Sequence, residues 1–142
     1  MRRRDFITLL AGTAVSWPLA AHAQQLGAHR AANPPRVGYL FTSKQFEGQS
    51  LWEACREGLR ELGYTEGRNI ILEPRWTEGQ QERLPGLVRE LLSLNVAVLV
   101  TAATPASLAA KAATNTTPIV FVAVADPLSV GLVASLAHPG EM

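Results

Sequence analysis

Cysteine is nearly absent from this 142-residue chain: Cys55 stands alone, and one cysteine closes no internal disulfide. Histidine is scarce and scattered, as His22, His29 and His138, and no spacing of His, Cys, Asp or Glu suits a metal ion. No Gly-x-Gly-x-x-Gly or Walker loop follows a predicted strand, which argues against a bound dinucleotide or nucleoside triphosphate. No nucleophile elbow holds a serine for acyl transfer. Charge of one sign is missing too. Thirteen basic residues face twelve acidic ones, for a net +1, and the clustered Lys/Arg face of a nucleic-acid binder is not there. No apolar run reaches the ~20 residues of a spanning helix. These absences point away from an enzyme and imply no cofactor and no metal.

What is present begins with an export pattern. Met1-Arg2-Arg3-Arg4 is a basic start, Phe6 to Ala20 an apolar stretch, and Ala21-His22-Ala23 a small-x-small cleavage signal. Cleavage is expected after Ala23, and no cysteine follows to carry a lipid anchor. Arg3-Arg4-Asp5-Phe6-Ile7 fits the twin-arginine pattern, with an ordinary Sec signal as the alternative. Removing residues 1–23 takes away three arginines and Asp5. Thirteen basic and twelve acidic residues become ten and eleven, and the net charge of +1 becomes −1. The remaining 119 residues are one domain's worth.

Residues 24–35 are polar and alanine-rich, end in Asn33-Pro34-Pro35, and read as a flexible leader. Beyond them strand and helix patterns alternate. Arg36 to Phe41 is a first strand. Ser50 is expected to cap a helix from Leu51 to Leu62, with Leu51, Cys55, Leu59 and Leu62 as its buried stripe and Gly63 as its left-handed stop. In that stripe Cys55 reads as a small apolar residue rather than a reactive thiol. Asn69 to Trp76 is a second strand, placed near a sheet edge by its alternation. Gln81 to Leu94 is a helix buried through Leu84, Leu87, Val88, Leu91 and Leu92. Val96 to Val100 is apolar throughout, as a doubly covered parallel strand should be. Thr104-Pro105 reads as cap plus first helical residue for a helix to Ala113. Pro118 to Ala123 is a fourth strand. Asp126-Pro127 repeats the cap signal before a helix from Val130 to Ala137, stopped by Pro139-Gly140. Trp52 and Trp76 read as packing residues rather than cleft aromatics.

Such alternation implies an α/β fold: a three-layer α/β/α arrangement on a parallel sheet of expected order 2-1-3-4. Ligands of such sheets sit beyond the carboxyl ends of the strands. The residues there are Thr42 and Ser43 after the first strand, Thr101, Ala103, Thr104 and Pro105 after the third, and Ala125 and Asp126 after the fourth. They offer hydroxyls, helix-start amides suited to an anionic group, and one carboxylate for an ammonium or hydroxyl. Thr104 and Asp126 can cap helices and border a crevice at once.

Several stretches together resemble the solute-binding proteins of ABC transporters, in the tryptophan/tyrosine-type or uncharacterised sugar-type branch. They are Arg3-Arg4-Asp5-Phe6-Ile7-Thr8 with Trp17-Pro18-Leu19-Ala20, Gly58-Leu59-Arg60-Glu61-Leu62-Gly63-Tyr64, Gly67-Arg68-Asn69-Ile70 and Glu73-Pro74-Arg75-Trp76. Thr104-Pro105-Ala106 through Ala113 and Pro118 through Asp126-Pro127 to Ala137 complete the set. The resemblance implies one lobe, residues 36–142, of a type I periplasmic-binding-protein-like fold. It also implies a small-molecule ligand and an ABC permease in the inner membrane as partners. The expected location is the periplasm, with no stable membrane anchor after cleavage and no nucleic acid bound. In that family Leu-Ala-x-Pro-Gly runs on into Gly-Asn-Val-Thr-Gly and a second lobe, where this sequence has Glu141-Met142. The implied reading is a truncated first lobe with weak or no binding. A stand-alone flavodoxin-like domain, enzyme or receiver, is an alternative, though Phe41-Thr42-Ser43-Lys44 supplies neither a cofactor loop nor an acidic cluster. A non-functional gene fragment is the other.

Overall fold

The computed structural model describes residues 33–135 and residue 137. The expected signal, its cleavage site, most of the leader and the expected stop at Pro139-Gly140 lie outside the described residues. Four parallel strands, β1 (Arg36–Phe41), β2 (Ile71–Trp76), β3 (Val98–Ala102) and β4 (Ile119–Val122), form one sheet in the order β2-β1-β3-β4. Three helices join them: α1 (Gln45–Glu61), α2 (Leu84–Ser93) and α3 (Thr104–Ala113), with a 3-10 turn at Gln81–Arg83 leading into α2. The fold class and strand order are those the alternation implies.

Each face of the sheet has its own apolar cluster. Leu40 of β1 and Leu99 of β3 pack under α2, through Leu84, Leu87, Val88 and Leu91, and under α3, through Ala106 and Ala110. On the other face Tyr39, Phe41, Ile70 and Leu72 receive Trp52 of α1, with Val37, Cys55, Leu59, Tyr64, Trp76, Val100 and Ala102 around them. Period-two alternation along β1 sends Leu40 to one side and Tyr39 and Phe41 to the other. Gly38 lies on the Leu40 side, where an added Cβ would stand 3.1 Å from Leu99 Cδ1 and 3.3 Å from Leu91 Cδ2. The aromatic side is ordered by ring geometry. Trp52 meets Tyr39 edge-on at 5.0 Å, and Trp76 stacks on Phe41 at 4.0 Å. The Cys55 thiol donates to the Tyr39 hydroxyl at 3.4 Å. Burial, and then that contact, push the Tyr39 phenol above its ordinary value. β2 lies at the sheet edge and contains Pro74, which edge strands tolerate. Arg75, opposite Leu40 on the face that α2 covers, pairs with Glu90 of α2 at 2.7 Å.

Several boundaries differ from the sequence reading. Helix α1 begins at Gln45, so Ser50 lies inside it and caps nothing. Its start is secured at Lys44, whose N–H donates to the Glu47 carboxylate at 3.2 Å. The earlier start rotates the buried stripe to Gly48, Trp52, Cys55 and Leu59, while Leu51 and Leu62 are exposed. Gly63, at φ +87°, does end the helix: its N–H reaches Arg60 O and the Tyr64 N–H reaches Leu59 O, a Schellman closure. β3 begins two residues later than expected, because Asn95 at φ +54° closes α2 and Val96 and Ala97 precede the strand. The helix expected at Val130–Ala137 is replaced by a single turn. Gly131, at φ +69°, stops it, with its N–H on Leu128 O and the Leu132 N–H on Pro127 O. Leu132 and Val133 are then buried.

Two glycines of α1 make opposite predictions. A Cβ at Gly48 would lie 2.3 Å from Trp76 Cζ3 and 2.9 Å from Ser43 Oγ, whereas one at Gly58 meets open space. Gly58→Ala should stabilise the fold by roughly 0.5–1 kcal/mol through helix propensity. Gly48→Ala should destabilise it by about 1–3 kcal/mol through overpacking. Urea denaturation of the two variants checks both, and equal effects would contradict this packing.

Candidate functional site

The order in which strands are added to the sheet reverses at β1, whose two neighbours are β2 and β3. The connections on either side of β1 cover opposite faces of the sheet, the arrangement that in open parallel sheets places ligands beyond the carboxyl ends of the strands. The segments that follow Phe41, Trp76, Ala102 and Val122 therefore border the candidate site.

Backbone strain concentrates at this edge. Glu78, Ala103 and Ala123 follow the ends of β2, β3 and β4, and their φ values are +55°, +74° and +55°. Left-handed non-glycine residues cost ~1–3 kcal/mol each and are kept where neighbouring structure holds them. Ala103, with ψ 159°, is the N-cap of α3 and is held by three bonds. Its N–H donates to Val122 O at 3.0 Å, and its carbonyl accepts from the Ser107 N–H at 3.2 Å and the Ser107 hydroxyl at 3.0 Å. The Ser107 hydroxyl also meets Thr101 Oγ1 at 2.8 Å, and both side chains are fully buried.

This changes the placement of two predicted residues. Thr101 belongs to β3, and its hydroxyl is spent on Ser107 rather than offered to the crevice. Thr104 is the first residue of α3 rather than its cap, and no side chain caps that helix. Pro105, at the second position, carries no N–H, and Ala106 is fully buried, so the accessible amide of the helix start is that of the half-buried Thr104. Thr42, Ser43, Ala103 and Thr104 are half-buried at the strand ends, and Pro105, Ala125 and Asp126 are exposed. The start of α1 differs in kind: carboxylates of this chain already serve it, Glu47 on the Lys44 N–H and Glu78 on the Gln45 N–H at 3.2 Å. α3 therefore has the more accessible positive end of the two.

The Asp126 carboxylate accepts from the Leu128 N–H at 3.2 Å and the Ser129 N–H at 3.1 Å, and so caps the single turn that follows. Thr77 was missed in the sequence. It is fully buried, and its hydroxyl donates to Thr42 O at 2.8 Å. A lone threonine after an edge strand gives no signal that it grips the next strand's loop. Among the described residues no group of three or more His, Cys, Asp or Glu is arranged to hold a metal ion, and no helix is long and apolar enough to cross a membrane. A groove of about 340 Å³ bordered by Lys111, Thr117, Ile119 and Leu132 lies toward the amino end of β4, away from the strand ends.

Residues 46–142 match the family described as ABC transporter substrate binding protein. A tyrosine-binding protein of Clostridioides difficile (strain R20291) is 31% identical over 84 residues, which are 59% of this chain and 24% of that protein. A conserved domain protein from Vibrio cholerae superposes with a TM-score of 0.70 at 31% identity, over 76% of this chain and 36% of its own. The ABC domain from Streptococcus pneumonia, solved in complex with L-Trp, gives a TM-score of 0.68 at 24% identity, over 75% of this chain and 36% of its own. A ligand-free, open substrate-binding protein with adhesive properties from Clostridium difficile gives 0.69 at 24%, with the same coverage. The chain thus spans about a quarter of the curated relative and just over a third of each solved neighbour.

The Asp126 turn carries a pH signature. Ser129, through its amide and then its side chain, and the Leu128 amide hold the Asp126 carboxyl below the usual carboxylate range. A depressed folded pKa stabilises the turn fully above the unfolded value of about 3.9 and fades as pH falls through the folded value. The Leu128 and Ser129 amide resonances should titrate together with a midpoint below that of a free aspartate. Asp126→Asn should abolish the titration. A midpoint at or above the ordinary value would contradict the capping role.

Proposed function

The chain belongs to the ABC transporter substrate-binding protein family, and on that premise we propose that it forms one wall of a crevice that captures a small polar solute for uptake. The supporting observation is the uncapped start of α3 at a strained strand end, set beside the Asp126 carboxylate's segment on the same edge of the sheet. Helix-start amides favour an anionic group, and a carboxylate favours an ammonium or hydroxyl. A zwitterion suits that pair better than a neutral sugar does, so amino acids come first and sugar-like solutes second. The tyrosine-binding relative and the tryptophan-bound neighbour make aromatic amino acids the first ligands to try. The proposed contact residues are Thr42, Ser43, Ala103, Thr104, Pro105, Ala125 and Asp126, with Thr101 supporting them from behind.

The family is one of binding proteins rather than enzymes. Its members work in the periplasm or outside the cell. The finer reading is export through a twin-arginine signal in residues 1–23, release after Ala23 and delivery of the solute to a permease in the inner membrane. A ligand on one wall keeps much of its surface in water, so residues 33–137 by themselves bind weakly.

Two measurements test this. Titration of the ¹⁵N-labelled chain with L-tryptophan and L-tyrosine should move amides of Thr42, Ser43, Ala103–Ala106 and Asp126, with affinity on the order of millimolar. Shifts confined to other segments, or none at saturating ligand, would remove the site. Amino-terminal sequencing of the exported product should begin at Gln24; a product that keeps Arg3-Arg4 would contradict cleavage.

A further inference from the structure

Thr77 and Glu78 sit beyond β2, outside the segments proposed to touch a ligand, yet their bonds end on one of those segments. The Thr77 N–H donates to Phe41 O at 3.1 Å, and its hydroxyl donates to Thr42 O at 2.8 Å. The Glu78 carboxylate accepts from the Gln45 N–H at 3.2 Å, and Glu78 adopts φ +55°. Three consecutive attachments therefore clamp the stretch from Phe41 to Gln45. The turn that makes them is itself anchored, because the Thr77 carbonyl accepts from the Gln80 N–H at 3.0 Å and from the Arg83 guanidinium at 3.2 Å. Behind the same stretch the space is closed: the Cβ position of Gly48 is 2.9 Å from Ser43 Oγ and 2.3 Å from Trp76.

We infer that the Thr77–Glu78 turn is a positioning brace that sets the backbone of Thr42 and Ser43 for ligand contact without touching the ligand. The inference rests on the binding reading above for its purpose, but not for its geometry. Loops that meet ligands are drawn from the weakly held parts of a fold, and their affinity depends on how far they are ordered beforehand. Here the bare sequence Thr42-Ser43-Lys44 contains no proline and no glycine to stiffen or shape it. The stiffness comes from outside, through a buried hydroxyl and a carboxylate at the end of the next strand. The Thr42 carbonyl is engaged by Thr77, which leaves the Thr42 and Ser43 hydroxyls as the polar side-chain groups this stretch can turn to a solute.

The test uses the unliganded chain and four proteins: wild type, Thr77→Val, Thr77→Ser and Glu78→Ala. Thr77→Val keeps the shape and deletes the donor. Amide hydrogen exchange at Ser43 and Lys44 should rise by about tenfold, while the amides of α2 and α3 stay at wild-type rates. Thr77→Ser should restore slow exchange. Glu78 is exposed, so Glu78→Ala leaves the core alone and should speed exchange at Gln45 selectively. Titration with L-tryptophan should show several-fold weaker binding in Thr77→Val and near-normal binding in Thr77→Ser. Unchanged exchange at Ser43–Gln45, or a uniform rise across α2 and α3, overturns the brace. A wild-type chain that fails to respond to L-tryptophan overturns the binding reading instead, and the exchange rates still decide whether the turn clamps the loop.

Discussion

Burial of β1 on both faces is the constraint from which the rest of this structure follows. Leu40 needs cover on one side, and Tyr39 and Phe41 need it on the other. A strand with both faces apolar cannot stand at an edge or against water. Burying each such side chain contributes roughly 1.5–3 kcal/mol, so a face left bare forfeits more than a small domain can spare. Helices must therefore lie on both sides, and the chain must cross over in both directions from β1. That requirement places β2 and β3 on either side of β1 and produces the crevice where the two crossovers diverge. The site is thus a geometric consequence of core formation rather than an addition to it.

The polar contacts at the strand ends solve a problem that this arrangement creates. Each strand must turn sharply into its connection, and alanine or glutamate takes the turn where glycine would be free of strain. Thr101 and Ser107 hold the turn after β3, and Thr77 holds the end of β1. All three side chains are fully buried, and each finds a partner. An unpaired buried hydroxyl would cost about 1–3 kcal/mol, so these bonds tie the backbone conformation tightly to the core. The half-buried Thr104 and the exposed Asp126 at this edge are then held in a fixed frame.

The fold was legible because burial is written in periodicity. The apolar strand runs, the Leu84, Leu87, Val88 and Leu91 stripe, and the Thr104-Pro105 pair pointed to the right elements in the right order. Errors arose where a single contact outvoted the pattern. Leu51 fits a stripe as well as Trp52 does, and only the aromatic cluster on β1 decides that Trp52 faces inward. Gly48 fell outside the helix expected from Leu51, whereas in the structure it lies inside α1 and Trp76 needs the room it leaves. Asp126-Pro127 did begin a helical turn, but Gly131 ended it five residues after Asp126, a stop that the apolar run Val130 to Ala137 concealed. The candidate edge was legible from the strand order alone. The support behind it was not, because Thr77 reaches Thr42 across thirty-five positions and nothing local announces that pairing.

A site of this kind leaves few marks in sequence because its chemistry resides mainly in the backbone. In the binding reading proposed above, amides at the start of α3 would do much of the recognising, and almost every residue type carries one. Side chains contribute by controlling which of those groups remain free. Glu47 and Glu78 occupy the start of α1, whereas nothing caps α3, so two helix starts on one edge differ in what they can accept. Selectivity in such a crevice follows from which amides the chain satisfies internally and which it leaves open. On that basis an anionic group of the proposed ligand would be steered to α3 and away from α1, and the carboxylates of Glu47 and Glu78 would reinforce the choice by repelling it from the side where their own helix begins.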